Sequence, residues 1–264
     1  MQNAFWVGTL VALLAGAIGY FVVLRGQSFA AHMLSQVGFP GAAAGVLLHT
    51  SPVLGLLVFC VAAAAWIAYR GRGLDAGRRA ESAAVGGILA FALALGLLFF
   101  RLYAGSAQAV YAFLFGSILG ISDRDVLVTA AATAAGLLVV GVIARPLIFA
   151  SVDPDAAEGR GVPVRALAAV FLVLVAVSVA ETVQLVGTLL VFALLVTPGA
   201  VAQQLTPRPW LGLAATVVLS LGFVWAGLAV AYFSDLPVGF VVTTIAFATY
   251  LAARGQRRLR AAVA

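Results

Sequence analysis

Apolar runs of about 17–25 residues recur along this 264-residue chain, each long enough to cross a bilayer as a helix. In hydrocarbon every backbone N–H and C=O must find its partner within the protein, so such runs fold as helices or as a closed barrel. A barrel needs short segments of alternating polarity, and these are absent. The sequence therefore predicts an all-α, polytopic helical membrane protein. The runs cover about 4–24, 30–49, 52–69, 82–102, 126–149, 165–181, 186–204, 209–232 and 238–254. The stretch 110–121, VYAFLFGSILGI, is too short to cross and reads as a re-entrant or interfacial helix. The expectation is about eight to nine spans plus that short helix, in one transmembrane domain over 1–264. Composition agrees: only 9% of residues are charged, against roughly 25% in soluble proteins.

The net charge of +6 comes from arginine alone, since the chain has no lysine. In a soluble protein this would suggest nucleic acid; beside apolar spans the arginines are topology signals. With the N-terminus outside and the C-terminus cytoplasmic, all but Arg101 and Arg124 of the 15 arginines fall on the cytoplasmic side. This places the chain in the cell (inner or plasma) membrane as a multi-pass protein, with lipid as its surroundings and no nucleic-acid partner. Met1 to Phe5 carries no positive charge ahead of the first run, which predicts a retained first span rather than a cleaved signal. Cys60 is the only cysteine and lies inside an apolar run, as a small buried hydrophobe.

Catalytic patterns are missing. HExxH and GxSxG do not occur, and a P-loop is impossible without lysine. Runs such as GAIG and GGILA read as small-residue packing faces between spans. Glu181 is the acid closest to lying within a span, so neither an intramembrane hydrolase nor an ion-coupled secondary transporter is well supplied with groups.

The polar residues that remain are concentrated. Arg25 to Pro52, RGQSFAAHMLSQVGFPGAAAGVLLHTSP, holds both histidines, and the rest of the chain is expected to be organised around it. His32 and Gln36 are four apart and would share one helix face, where a polar pair at membrane depth faces a bundle interior or a pathway. His49, followed by Thr50, Ser51 and Pro52, reads as a cap or turn residue. Glu181, Thr182 and Gln184, and separately Asp235, read as polar turns at the membrane surface. Pro198 is expected to break its span and free carbonyls near the pathway. Between spans, SVDPDAAEGRGVPVR (about 151–165) predicts a short helix opened by Asp153-Pro154, closed by Gly159 and Gly161, with Pro163 opening the next span. Its charges, Asp153, Asp155, Glu158 and Arg160, suit docking to a soluble partner.

Four stretches together resemble the permease subunits of the metal-type (zinc, manganese and iron) ATP-binding-cassette importers. They are GYFVVLRGQSFAAHMLSQVGFPGAAAGVLL, VYAFLFGSILGISDRDVL, DPDAAEGRGVPV and VGTLLVFALLVTPGAVAQQLT, in the family's order and spacing. The resemblance implies a transport subunit without its own ATPase site, importing a divalent metal, zinc or manganese, by alternating access. It implies a second copy of the chain, a cytoplasmic ATPase subunit docking near Asp153–Arg165, and an extracytoplasmic metal-binding protein. This chain would bind no cofactor, ATP being used by the partner subunit. The implied pathway residues are His32, Gln36 and Pro198, with His32 the candidate metal ligand. Where the family carries an aspartate and, four residues later, a histidine, this sequence has His32 and Gln36. That departure leaves a chelated-metal or non-metal cargo on the same architecture, or a stand-alone secondary transporter, as the alternatives.

Overall fold

The computed structural model describes residues 2–70, 78–102, 122–187, 191–234 and 236–263. Among them are eleven helices: α1 (Gln2–Leu24), α2 (Ser28–Leu47), α3 (Pro52–Arg70), α4 (Arg78–Leu102), α5 (Asp123–Val152), α6 (Pro154–Gly159), α7 (Val164–Val186), α8 (Val191–Leu195), α9 (Thr197–Leu205), α10 (Pro209–Phe233) and α11 (Val238–Val263). Five of them (α1, α5, α7, α10 and α11) are long and apolar enough to cross a membrane. Shorter apolar stretches, Pro52–Ile67, Leu89–Leu102 and Val191–Leu205, continue the series. The expected helix at 110–121 lies outside the described residues.

Helix ends fall where local chemistry puts them. After α1, the Gly26 N–H bonds to the Val23 carbonyl and the Gln27 N–H to that of Val22, with Gly26 at φ 65°. This is a Schellman closure, whose left-handed residue is normally glycine. His49 makes the same closure after α2 at φ 53°, with Thr50 N–H bonded to Gly45 O. His49 is thus the turn residue its sequence context predicts, and it is exposed.

Helix α1 packs at the centre of one half of the body, and α2, in the 25–52 stretch, at the centre of the other. Over its most apolar window α1 is 72% buried and α7 67%, against 22% for α5, 33% for α10 and 28% for α11. It runs parallel to α5: Asn3 bonds Asp123 (2.7 Å), Leu10 lies by Thr133, Leu14 fills the space over Gly136, and Arg25 reaches Ser151. It runs antiparallel to α10, with Trp225 donating to Thr9 Oγ1 (3.0 Å) at one end and Gly212 against the Tyr20 ring at the other. Small residues make this closeness possible: a methyl built on Gly16 would approach Val217 Cα to 2.8 Å. Without a hydrophobic drive between helices in lipid, such close packing supplies much of the association energy. The GAIG run is therefore a packing face, whereas Gly87 in GGILA has nothing within 4 Å.

The remaining helices build outward. α2 and α3 form a tight antiparallel hairpin in which Gly41 and Gly55 meet backbone to backbone, and Cys60, fully buried, donates to Leu34 O (3.2 Å). α4 joins it through Phe39, which stacks on Phe100. Four exposed tryptophans mark the two ends of the bundle. Trp6 and Trp225 lie toward the α1 N-terminal end, Trp66 and Trp210 toward the opposite end. Indole rings favour membrane–water interfaces, so two at each end fit a bilayer-spanning body.

Candidate functional site

His32 lies in the second turn of α2, half-buried, and its ring meets Phe192 of α8 edge to face (5.8 Å, 88°). Its Nδ1 is buried without a hydrogen-bond partner, which is uncommon for a buried polar atom and marks the imidazole as incompletely satisfied. Gln36, also half-buried, follows one turn later on the same uninterrupted helix, so the two share a face as the spacing predicts. Among the described residues no group of three or more His, Cys, Asp or Glu comes together. Among the described residues, His32 and Gln36 thus contribute an imidazole and a neutral amide here, without a closed cage of three or more His, Cys, Asp or Glu.

Beside His32 the chain is broken. The helical run that begins with α8 stops at Leu195, Val196 makes a turn, and α9 starts at Thr197 with Pro198 in its first turn. Proline has no N–H to give the Leu194 carbonyl, so the break follows from the sequence. Pro198 itself is buried, and the neighbouring Leu195 carbonyl oxygen abuts Gly19 of α1. A methyl on Gly199 would in turn stand 2.9 Å from the Gly19 oxygen. Since Phe192 touches His32, the structure brings the broken span and the α2 pair together.

The charged segment folds as expected. Asp153 closes α5 and caps α6, its carboxylate accepting from the Ala156 N–H (2.9 Å). The helix ends in a third Schellman closure at Gly161, and Pro163 is the N-cap of α7. Ala157 is fully buried, so α6 is seated on the body. Asp155, Glu158 and Arg160 are exposed, and Arg160 lies back over the Phe149 ring (5.4 Å). These four charged residues stand apart from His32: the first set is a surface feature, the second a feature of the bundle.

A sequence model of the ABC 3 transport family matches residues 1–255. The chain belongs to that family. It is 30% identical to the manganese import system permease protein ScaB of Streptococcus parasanguinis, over 94% of this chain and 88% of that protein. It is 28% identical to the manganese transport system membrane protein MntC of Halalkalibacterium halodurans, over 93% of this chain and 83% of that protein. Its structure resembles that of PsaBC from Streptococcus pneumoniae solved in complex with Fab. The TM-score is 0.85 at 28% identity, covering 96% of this chain and 90% of that one.

In this ABC 3 chain two sites differ from, or add to, what the sequence conveys. Glu181 and Thr182 are not surface turns: both lie inside α7, and Glu181 is only 6% exposed. Helix α7 continues past them to Val186, and Glu181 finds a partner in Thr133 of α5, whose hydroxyl donates to Glu181 Oε2 (3.2 Å) and lies 3.5 Å from the Leu10 carbonyl. The only hint in the sequence is the Thr129–Thr133 pair, four apart in an apolar run and buried on one face of α5. The Gln184 side chain and Asp235 lie outside the described residues. Arg25 is the second addition. Its Nη1 donates to Ser151 Oγ (3.3 Å) and its guanidinium lies over Phe171 (5.7 Å).

Proposed function

We propose that this chain is the membrane permease of an ATP-driven divalent-metal importer, with manganese as the first candidate cargo and zinc as the second. The observation that carries this reading is the family match together with the likeness in sequence to permeases named for manganese import and in fold to PsaBC, over nearly the whole chain, including the segments that hold His32 and α6. The arginine asymmetry supports an N-terminus outside and a cytoplasmic α6. On that side Asp153, Asp155, Glu158 and Arg160 face a separate ATPase subunit, which uses the ATP. An extracytoplasmic metal-binding protein delivers the ion at the opposite face.

Two copies of the chain around one pathway would bring two His32 imidazoles and two Gln36 carbonyl oxygens to the ion. Imidazole suits zinc and tolerates manganese, whereas carbonyl oxygen suits manganese. Without a carboxylate such a set holds a dication weakly. Weak holding serves conduction, where an ion must leave as readily as it enters. Closure of the ATPase dimer under α6 rocks the helices between two states, each open to one side. The broken α8–α9 span beside His32 is the element best built to yield, since discontinuous helices are where transporter sites are formed.

The test is ATP-dependent uptake of labelled manganese and zinc into proteoliposomes holding this chain, its ATPase and its binding protein. Native protein is compared with His32→Ala. Uptake that collapses on substitution supports both the importer and the α2 pathway, and uptake that survives keeps the importer but removes His32 from the path. ATP hydrolysis without uptake of either metal rejects a free-metal cargo and favours a chelate.

A further inference from the structure

Arg25 occupies a mechanical crossing point. Its backbone caps α1 and leads through the Gly26–Gln27 turn directly into α2. Its side chain reaches two other helices: Nη1 donates to Ser151 Oγ in the last turn of α5, and the guanidinium lies over Phe171 in α7. Those are the two helices that the α6 segment joins. Ser151 stands two residues before Asp153, and its own hydroxyl also bonds the Leu147 carbonyl. One turn back on α1, Phe21 packs edge-on against the same Phe171 ring (6.3 Å, 71°).

A guanidinium bound to a hydroxyl and a ring is held by direction and shape, a task for which lysine is a poor substitute. The connection to α2 is equally tight, because both the Gly26 and Gln27 N–H groups are bonded back to α1. Arg25 Nε and Gln27 Oε1, a donor and an acceptor two residues apart, are both buried without partners. Buried polar atoms are seldom left unpaired, so this turn holds a donor and an acceptor that the present arrangement does not use.

We propose that Arg25 is a positioning residue of the transport cycle, carrying movement of the α6 segment through Ser151 and Phe171 into α2 and so to His32. The proposal rests on the reading above that α6 docks the ATPase. Arg25 touches neither metal nor ATP; it sets the ratio between hydrolysis and transport.

The test uses the assembled complex of permease, ATPase and binding protein in proteoliposomes, with hydrolysis and manganese uptake measured on the same vesicles. Variants are Arg25→Gln, Arg25→Lys and Ser151→Ala, each normalised to assembled complex. Arg25→Gln is expected to hydrolyse ATP while metal moved per ATP falls about tenfold, a usual size for coupling between sites. Ser151→Ala should fall part of the way, and Arg25→Lys should recover little. An unchanged ratio, or uptake and hydrolysis falling together in all three variants, overturns the role of Arg25 alone. A native complex without ATP-dependent uptake overturns the transport reading, and this proposal with it.

Discussion

The backbone of Gly19 in α1 lies directly against the carbonyl oxygen of Leu195, the last residue of α8. No side chain fits between them, so the central helix and the broken span are in contact at the level of their main chains.

A single methyl group should therefore disrupt the fold here. Gly19→Ala is expected to cost about 1–3 kcal/mol, the usual penalty for overpacking a filled core, and to lower the melting temperature of the purified permease in detergent. Gly87→Ala, where an added methyl meets open space, should melt as native. Equal melting of the two variants would contradict the contact.

Replacing Gln36 by glutamate places a carboxylate one turn from His32. The variant should bind manganese more tightly and release it more slowly, so that the KM for uptake and the maximal rate both fall, by about tenfold for each 1.4 kcal/mol of added binding. A KM that does not move would remove Gln36 from the pathway.

Asp153 caps α6 and, in the proposed assembly, also offers a charge to the ATPase subunit. As the cap of α6 it holds the Ala156 N–H, and Asp153→Ala should cost about 1 kcal/mol locally. Asp153→Asn keeps the cap without the charge. Recovery of the ATPase on a tagged permease should drop for alanine and stay near native for asparagine if the cap matters most. A loss with asparagine as well would assign the contact to the charge.

Around Glu181 the costs are unequal. Glu181→Leu leaves Thr133 with the Leu10 carbonyl as acceptor and should be close to neutral. Thr133→Val strips the buried carboxyl of its partner and should cost about 1–3 kcal/mol. Thermal melts of the two variants decide the order, and the reverse order would mean that the carboxyl does more than pair.

Orientation can be read by labelling. Cys60 is fully buried, so a membrane-impermeant maleimide should leave the native protein unmarked. Asp123→Cys should label from outside intact cells and Asp155→Cys only after the membrane is opened. The opposite pattern would invert the proposed topology.

The sequence conveys much of this because the bilayer leaves few options. Long apolar runs have to be helices, and the Asp153-Pro154 and Gly159–Pro163 punctuation specifies α6 almost residue by residue. Glu181 misleads, since a carboxylate near the end of an apolar run resembles a turn until Thr133, 48 positions away, is known to meet it. The central place of α1 is equally hidden. Its composition is that of its neighbours, and what singles it out is which of its glycines face Val217, Leu195 and Gly199. The contact of Phe192 with His32 likewise depends on where the Pro198 break sends the chain.

The parallel pairing of α1 with α5, and its antiparallel pairing with α10, carry a consequence for how the protein is made. Helix α1 leaves the ribosome well before its antiparallel partner α10. Ser220 emerges some 196 residues after Leu24, which at about 5–20 residues per second is roughly 10–40 s of synthesis. Through that interval the Gly16 side of α1, which Val217 and Ser220 come to cover, has no α10 against it. Chains that terminate before α10 should be the ones membrane quality control removes.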